Sequence, residues 1–282
     1  MKKFDLPDAP IGVFDSGLGG LTVVRELRRE LPNERIIYFG DTARLPYGIK
    51  SKKQIRDFSR ENTEFLIHRD VKAVVVACNS SSSAAFSFLK TQFHLPIVDV
   101  IQPAVDRAVT TTRNRRIGVI ATQATVASEA YEHAVRAQDK RIRIFSKACP
   151  LLVPFVEEGI LSGDLIQMVL KQYLKPLLVR HIDTLILGCT HYPMFRSEIQ
   201  KVVGPKVKLI DSAPAAVSTL KKILIQKDCE RRKKIKGSLQ VFVSDLAQNF
   251  LTVGERFLGE PLGDVKVVRF KAEVTVNGRW TL

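Results

Sequence analysis

Short apolar runs alternate with amphipathic stretches along almost the whole chain. Some runs are continuously apolar, such as residues 73–77 and 185–187, and this is typical of parallel strands that are covered on both faces. The pattern predicts ten strands, at Ile11–Asp15, Arg35–Asp41, Ala73–Ala77, Ile97–Val100, Arg116–Ala121, Arg141–Phe145, Thr184–Gly188, Val207–Asp211, Leu239–Ser244 and Val265–Phe270.

Helical patterns fill the segments between these strands. Apolar residues recur at helical spacing over residues 21–31, and Pro32 ends that segment. Ser51 and Gln54 have the spacing of a capping box, which predicts a helix that runs to about His68. Regular strand–helix alternation predicts the α/β class with mostly parallel sheets, and the chain length suits two smaller sheets better than one large sheet.

A sequence pattern that occurs twice indicates that the chain has two similar halves. Residues 74–80 (VVVACNS) and 185–191 (LILGCTH) both contain an apolar strand, a small residue, a cysteine and a polar pair. Ligands of open parallel sheets bind beyond the carboxyl ends of the strands. The two cysteines, Cys78 and Cys189, are therefore predicted at equivalent, ligand-facing positions.

The amino-acid composition indicates the class of protein and its expected location. The 282 residues are 45% apolar and 26% charged, and no apolar run reaches the roughly 18 residues that a membrane span needs. The first ten residues lack the apolar core of a signal peptide, so a cytoplasmic location without membrane attachment is expected. The net charge of +15 identifies no partner by itself, and its densest cluster, residues 231–236, is interpreted as a solvated surface segment.

Two further polar clusters follow predicted strands. Asp15 opens the segment DSGLGG, whose glycines permit a tight turn with backbone N–H groups free to receive an anion, although it is not a dinucleotide-binding fingerprint. The second cluster, residues 41–48, ends in Tyr47 and Gly48, which could offer a hydroxyl and a backbone N–H to a ligand. Taken alone, each segment is also compatible with an ordinary loop.

The matched cysteines suggest a pair of thiols that act together. A thiol at a helix N-terminus is expected to have a lowered pKa because the thiolate is stabilised there. Asp15 near Cys78 and His191 near Cys189 are candidates to assist the two thiols. Since His191 has no further ligand at suitable spacing apart from Cys189 itself, no metal site is predicted.

The other two cysteines are not expected to take part in catalysis. The four cysteines are far apart in sequence and none forms a CxxC pair, so free thiols are expected. Cys149 is expected in the core, and Cys229, which lies among charged residues, is expected at the surface.

Four segments together resemble the motif set of the bacterial glutamate racemase family. They are DSGLGG at 15–20, PYG at 46–48, ACN at 77–79 and GCTHYP at 188–193. The resemblance extends from about residue 11 to about residue 215, and the tail beyond Lys227 matches only loosely. One departure is the pair Ser80-Ser81, where the family usually has threonine and then alanine; serine keeps the hydroxyl.

The resemblance implies two similar three-layer α/β domains that face each other across a cleft. It places residues 1–97 and 208–282 in a discontinuous first domain and residues 98–207 in the second. It also implies a cofactor-independent enzyme that interconverts L- and D-glutamate and supplies D-glutamate for peptidoglycan. A homodimer is common in the family, and neither nucleic acid nor membrane is required.

The resemblance also implies the site residues, because positions of this chain match the family's functional positions. Cys78 and Cys189 match the two catalytic thiols, one of which removes the α-proton while the other delivers a proton to the opposite face. Asp15 and His191 match residues that assist the thiols, and Glu157 matches an acidic residue near that histidine, so all three are assigned to the catalytic set. The substrate-binding residues implied by the resemblance are Asp15, Ser16, Tyr47, Gly48, Asn79, Ser80, Thr190 and His191.

Two alternatives stay open at this point. A related racemase could act on aspartate or another amino acid, although His191, where that branch usually has glutamate, favours glutamate as substrate. A non-catalytic α/β protein that binds a ligand or nucleic acid would also use the basic surface, and its binding would weaken steeply with salt.

Overall fold

The computed structural model describes residues 6–246 and 250–268. Its strands, numbered in chain order, are β1 Ile11–Asp15, β2 Ile36–Gly40, β3 Ala73–Val76, β4 Ile97–Asp99, β5 Arg116–Ala121, β6 Arg143–Ala148, β7 Thr184–Gly188, β8 Lys208–Asp211, β9 Leu239–Val243 and β10 Val265–Val267. Each predicted strand has a counterpart among them. The end of the last predicted strand, residues 269–270, lies outside the described residues.

Eleven α-helices connect the strands within the described residues. They are α1 Leu21–Glu30, α2 Lys52–Ile67, α3 Asn79–Gln92, α4 Ile101–Thr111, α5 Gln123–Ala127, α6 Ala130–Gln138, α7 Leu152–Glu157, α8 Asp164–Leu178, α9 Arg196–Val203, α10 Ser212–Gln226 and α11 Phe250–Leu258. The predicted capping box is confirmed, because the Ser51 side chain and Gln54 bond reciprocally at the start of α2.

Two sheets form, and every strand pairing in them is parallel. The larger has the order β10-β9-β2-β1-β3-β4, and the smaller has the order β6-β5-β7-β8. The predicted α/β class with mostly parallel sheets is therefore confirmed. All carboxyl ends within one sheet lie at the same edge, so the segments that follow β1, β2 and β3 meet there.

Both sheets are covered on two faces. In the larger sheet, Val13 packs with residues of α1, α10 and α11, whereas the next residue, Phe14, packs with residues of α2 and α3 on the other face. In the smaller sheet, Val119 packs with α4 and α6, and Ile120 packs on the side of α8 and α9. Burial on both faces explains why these strands are continuously apolar in sequence.

Strand β6 begins later than the sequence predicted. The prediction placed it at residues 141–145, but it runs from Arg143 to Ala148. The Asp139 side chain accepts the backbone N–H of Arg141 at 2.9 Å and holds residues 139–141 in a turn. The strand can therefore start only after that turn.

The larger sheet contains strands from both ends of the chain, and the smaller sheet takes its strands from the middle. Strand β8, at residues 208–211, pairs with β7 in the smaller sheet, although the predicted boundary assigned residue 208 onward to the first domain. Strand pairing therefore puts the return to the first half after residue 211. The division into two domains remains a prediction.

Cys229 is buried, and the prediction that it lies at the surface was wrong. The buried ammonium of Lys72 donates to the Cys229 carbonyl at 2.8 Å and pairs with the carboxylate of Glu34, which holds the segment against the body of the protein. Cys149 is fully buried, as predicted. In the part of the chain that the structure describes, no helix is both long and apolar enough to cross a bilayer.

Candidate active site

Cys78 and Cys189 follow equivalent strands of the two sheets. Cys78 is the N-cap residue of α3, directly after β3, and Cys189 directly follows β7. Both side chains are largely buried, and both line one cavity of about 250 Å³ between the two sheets. The sequence therefore brings two thiols from separate sheets to a single small cavity.

The cavity collects most of the residues predicted for the site. Its lining residues are Ser16, Gly17, Leu45, Pro46, Tyr47, Gly48, Ile49, Cys78, Asn79, Ser80, Thr122, Gln123, Pro150, Val153, Pro154, Glu157, Cys189, Thr190, His191 and Tyr192. Its volume lies below the range of about 300–1,000 Å³ that is usual for drug-sized ligands, so it suits a small molecule. None of these lining residues is lysine or arginine.

Asp15 lies behind the cavity wall. Its carboxylate is completely buried, accepts the backbone N–H of Gly17 at 3.0 Å, and is absent from the cavity lining. The predicted direct contact of Asp15 with a ligand stays a prediction. Burial raises the pKa of the Asp15 carboxyl, and the charge on His191 opposes that rise.

Cys78 does not have the lowered pKa that its position at a helix N-terminus predicted. Burial, followed by the negative charge of Asp15, raises the pKa of the Cys78 thiol to about 12. The Ser16 hydroxyl, whose Oγ is 3.6 Å from the sulfur, and Ser81 act in the opposite direction but are outweighed. Desolvation therefore overrides the helix dipole at this thiol.

His191 lies beside the second thiol. Its Nδ1 is 4.0 Å from the Cys189 sulfur, and its Nε2 is 3.4 Å from the carboxylate of Glu157. Although burial acts to lower it, the interactions with Cys189 and Glu157 raise the pKa of His191 to about 10. The ring of Phe257 packs edge-on against the imidazole with 5.1 Å between ring centroids.

Tyr47 lines the cavity without offering its hydroxyl to it. That hydroxyl donates to the buried carboxylate of Asp41 and accepts from the Asn62 side-chain amide. The predicted contact between this hydroxyl and a ligand stays a prediction. Gly48 packs against Thr122 so closely that a Cβ atom would lie 2.9 Å from the Thr122 Cβ, which leaves the backbone at the cavity wall.

The loop after β1 contacts the segment after β7. A Cβ atom at Gly19 would lie 2.1 Å from the Thr190 Oγ1 and 2.6 Å from the His191 Nδ1, so only glycine fits there. The first and fourth sequence motifs are thus in contact, although they are about 170 residues apart in the chain.

Side chains that follow Cys78 reach across to the smaller sheet. The Ser80 hydroxyl lies 3.0 Å from the Thr122 hydroxyl, and the Asn79 amide donates to the Tyr131 hydroxyl at 2.9 Å. No motif in the sequence marked Thr122, Gln123 or Phe257 as part of the site. A signal existed for Thr122, because it directly follows the predicted strand β5, whereas no local pattern pointed to Phe257 in α11.

The sequence profile of the Asp/Glu/Hydantoin racemase family matches residues 11–220. The glutamate racemase of Geobacter metallireducens is 43% identical over 268 residues, which cover 95% of this chain and 99% of the relative. The glutamate racemase of Syntrophus aciditrophicus is 45% identical over 260 residues, with 92% and 96% covered.

A solved structure has the same architecture. The glutamate racemase of Francisella tularensis, determined in complex with D-glutamate, superposes with a TM-score of 0.88 at 39% identity. The match covers 93% of this chain and 98% of that protein. The chain therefore belongs to the Asp/Glu/Hydantoin racemase family, and it is an amino-acid racemase.

Proposed function

We propose that this enzyme interconverts L- and D-glutamate by moving protons between the substrate α-carbon and the thiols of Cys78 and Cys189, without a cofactor. The observation that carries the proposal is the convergence of these two thiols, from separate sheets, on one small cavity. Relatives that match nearly the whole chain are named glutamate racemase, and one of them was solved with D-glutamate bound.

Inversion at a carbon requires two proton-transfer groups on opposite faces. One sulfur, as thiolate, takes the α-proton and becomes a thiol, while the other, as thiol, gives its proton to the opposite face and becomes a thiolate. The products are the other enantiomer and an enzyme with the thiol and thiolate exchanged. A single base would tend to return the proton to the face from which it came.

The charges around the thiols support different resting roles. The raised pKa of Cys78 keeps that sulfur protonated near neutral pH, so it is suited to deliver a proton. Cys189 lies beside an imidazolium at His191, which stabilises negative charge on the sulfur. In the direction that starts from this state, Cys189 is the base and Cys78 is the acid.

The carbanion formed at the α-carbon needs stabilisation without an electron sink. Because none of the cavity-lining residues that the structure describes is a lysine or an arginine, we assign the negative groups of the substrate to N–H and hydroxyl donors together with His191. We assign this binding role to Ser16, Gly48, Asn79, Ser80, Thr190 and His191, with Thr122 as an additional hydroxyl. Asp15 acts on Cys78 rather than on the substrate.

The proposal extends to the role of the enzyme in the cell. The enzyme would be a cytoplasmic homodimer, and the D-glutamate that it makes would serve peptidoglycan synthesis. Sedimentation of the purified protein tests the oligomeric state, and depletion of the protein in cells with D-glutamate supplied externally tests the role in the cell wall.

The decisive experiment is incubation of the purified protein with L-glutamate in D₂O, with no cofactor added. Chiral analysis should detect D-glutamate, and deuterium should appear at the α-carbon. Absence of both would contradict the proposal. Conversion of L-aspartate in place of L-glutamate would keep the racemase chemistry and change the substrate.

A further inference from the structure

Tyr131 connects the two cysteine-bearing segments of the site. It lies in α6, its side chain is 1% exposed, and its hydroxyl accepts the Asn79 amide at 2.9 Å. Its ring also packs against Gly188, where a Cβ atom would lie 3.1 Å from the Tyr131 Cε2. One buried tyrosine thus contacts the residue after Cys78 and the residue before Cys189.

The hydrogen bond between Tyr131 and Asn79 has a definite direction. The Asn79 side-chain nitrogen donates and the Tyr131 hydroxyl oxygen accepts. Because an amide nitrogen only donates and an amide oxygen only accepts, the end of the Asn79 amide that faces Tyr131 is its NH₂ group.

This direction fixes the amide of Asn79. Its NH₂ group must face Tyr131, which turns the amide oxygen away from that residue. The Asn79 Oδ1 is buried and has no partner within residues 6–246 and 250–268, and Asn79 itself lines the cavity. A buried acceptor without a partner is costly, so the site is set up to receive a donor from a ligand.

We propose that Tyr131 is a positioning residue that keeps the Asn79 amide oxygen free to accept from the substrate α-ammonium. This inference rests on the proposed function, because the α-ammonium is the one donor-only group of an amino acid. A charge-assisted hydrogen bond of this kind is stronger than a neutral one. Without Tyr131 the amide could rotate and place its NH₂ group, a donor, against the ammonium.

The test removes only the phenolic oxygen. In Tyr131→Phe the ring still packs on Gly188, while the constraint on Asn79 is lost. Calorimetric titration should show D-glutamate binding weakened about tenfold. Glutarate, which has both carboxylates but no ammonium, should bind within about twofold of wild type. In racemisation assays KM should rise while kcat changes little, and kcat/KM should fall by the same factor in both directions because the enantiomers have equal free energy.

Controls separate positioning from a general loss of structure. Tyr173→Phe removes a hydroxyl outside the cavity, 3.4 Å from the Leu151 N–H, and should leave both titrations unchanged. In an Asn79→Ala background, Tyr131→Phe should add no further loss of D-glutamate binding. Equal weakening of D-glutamate and glutarate, an unchanged D-glutamate affinity, or additive losses in the double variant would each overturn the inference.

The outcomes also separate this inference from the proposed function. Titration needs no turnover, so a selective loss of D-glutamate binding supports the role of Tyr131 even in a protein that fails the D₂O experiment. Active wild-type enzyme with unchanged D-glutamate binding in Tyr131→Phe would reject the positioning role and leave the racemase proposal intact.

Discussion

Cys78 and Cys189 follow apolar strands of two parallel sheets and line the same cavity, yet their charged neighbours have opposite signs. Cys78 lies next to the buried carboxylate of Asp15, whereas Cys189 lies 4.0 Å from the imidazole of His191. A nearby anion resists ionisation of a thiol, and a nearby cation favours it. The same backbone plan therefore places the two thiols beside charges of opposite sign.

This difference is useful for inversion at a carbon. Two identical thiols would share no preference for which is protonated, and a fraction of the enzyme would hold two thiols or two thiolates. Opposite neighbours bias the pair toward one thiol and one thiolate, the combination that a two-base reaction requires. After turnover the pair is left in the reverse arrangement, so the charge bias must be modest enough to be overcome in each direction.

The largest expected effect comes from removal of either sulfur. Cys78→Ser and Cys189→Ser should each lower racemisation at least about a thousandfold in both directions, because a hydroxyl is a far weaker acid than a thiol. Chiral analysis of L- and D-glutamate conversion measures this. Cys229→Ser is the matched control, since that buried thiol lies outside the cavity and its Sγ contacts the Lys227 carbonyl. Substantial activity in either active-site variant would break the symmetry between the two thiols.

Removal of the charged imidazole of His191 should have the next largest effect on racemisation. His191→Gln is expected to lower kcat/KM about a hundredfold, because the negative charge on Cys189 loses its partner. Iodoacetamide labelling followed by peptide mass spectrometry should show slower alkylation of Cys189 at pH 8. His133→Gln, on an exposed helix surface, is the control. Unchanged Cys189 labelling would mean that His191 does not stabilise the thiolate.

Removal of the Asp15 carboxylate should make Cys78 easier to ionise, which is the opposite of the effect expected at Cys189 when His191 is removed. In Asp15→Asn the pKa of Cys78 should fall, because a neighbouring negative charge that raises it is gone. Alkylation of Cys78 at pH 8 should therefore be about tenfold faster than in wild type. Cys189 in the same sample serves as an internal reference. Slower or equal labelling of Cys78 would show that Asp15 is uncharged or assists the thiolate.

The fold could be predicted from the sequence because parallel strands buried on both faces, such as residues 73–77, are continuously apolar. Strand β6 was misplaced because a single side-chain bond from Asp139 controls where it begins. The positions of Cys78, Cys189 and their polar neighbours at the cavity followed from one rule, that strand ends meet at one edge of a sheet. The same rule applied to β5 would also have found Thr122.

The surroundings of each side chain could not be predicted in this way. Position alone suggested a lowered pKa for Cys78, but the shift depends on burial by residues that are distant in sequence. The hydroxyl of Tyr47 is committed to Asp41, a contact that spacing does not reveal. Phe257 reaches His191 from a helix 66 positions further along the chain, where no local pattern marks it.

The smallest expected effect is on thermal stability, and it depends on the charge of His191 alone. The pKa of His191 is raised to about 10 in the folded protein, above its ordinary value near 6.5. The folded state therefore binds a proton more tightly than the unfolded state, and the resulting stabilisation is complete below pH 6.5 and is lost as the pH rises through 10. Scanning calorimetry should show that the Tm advantage of wild type over His191→Gln shrinks as the pH rises from 6 to 10. Glu157→Gln should reduce this pH dependence, since Glu157 helps to raise the pKa. A Tm difference that stays constant with pH would mean that His191 is neutral in the folded protein, and the charge contrast between the two thiols would then rest on Asp15 alone.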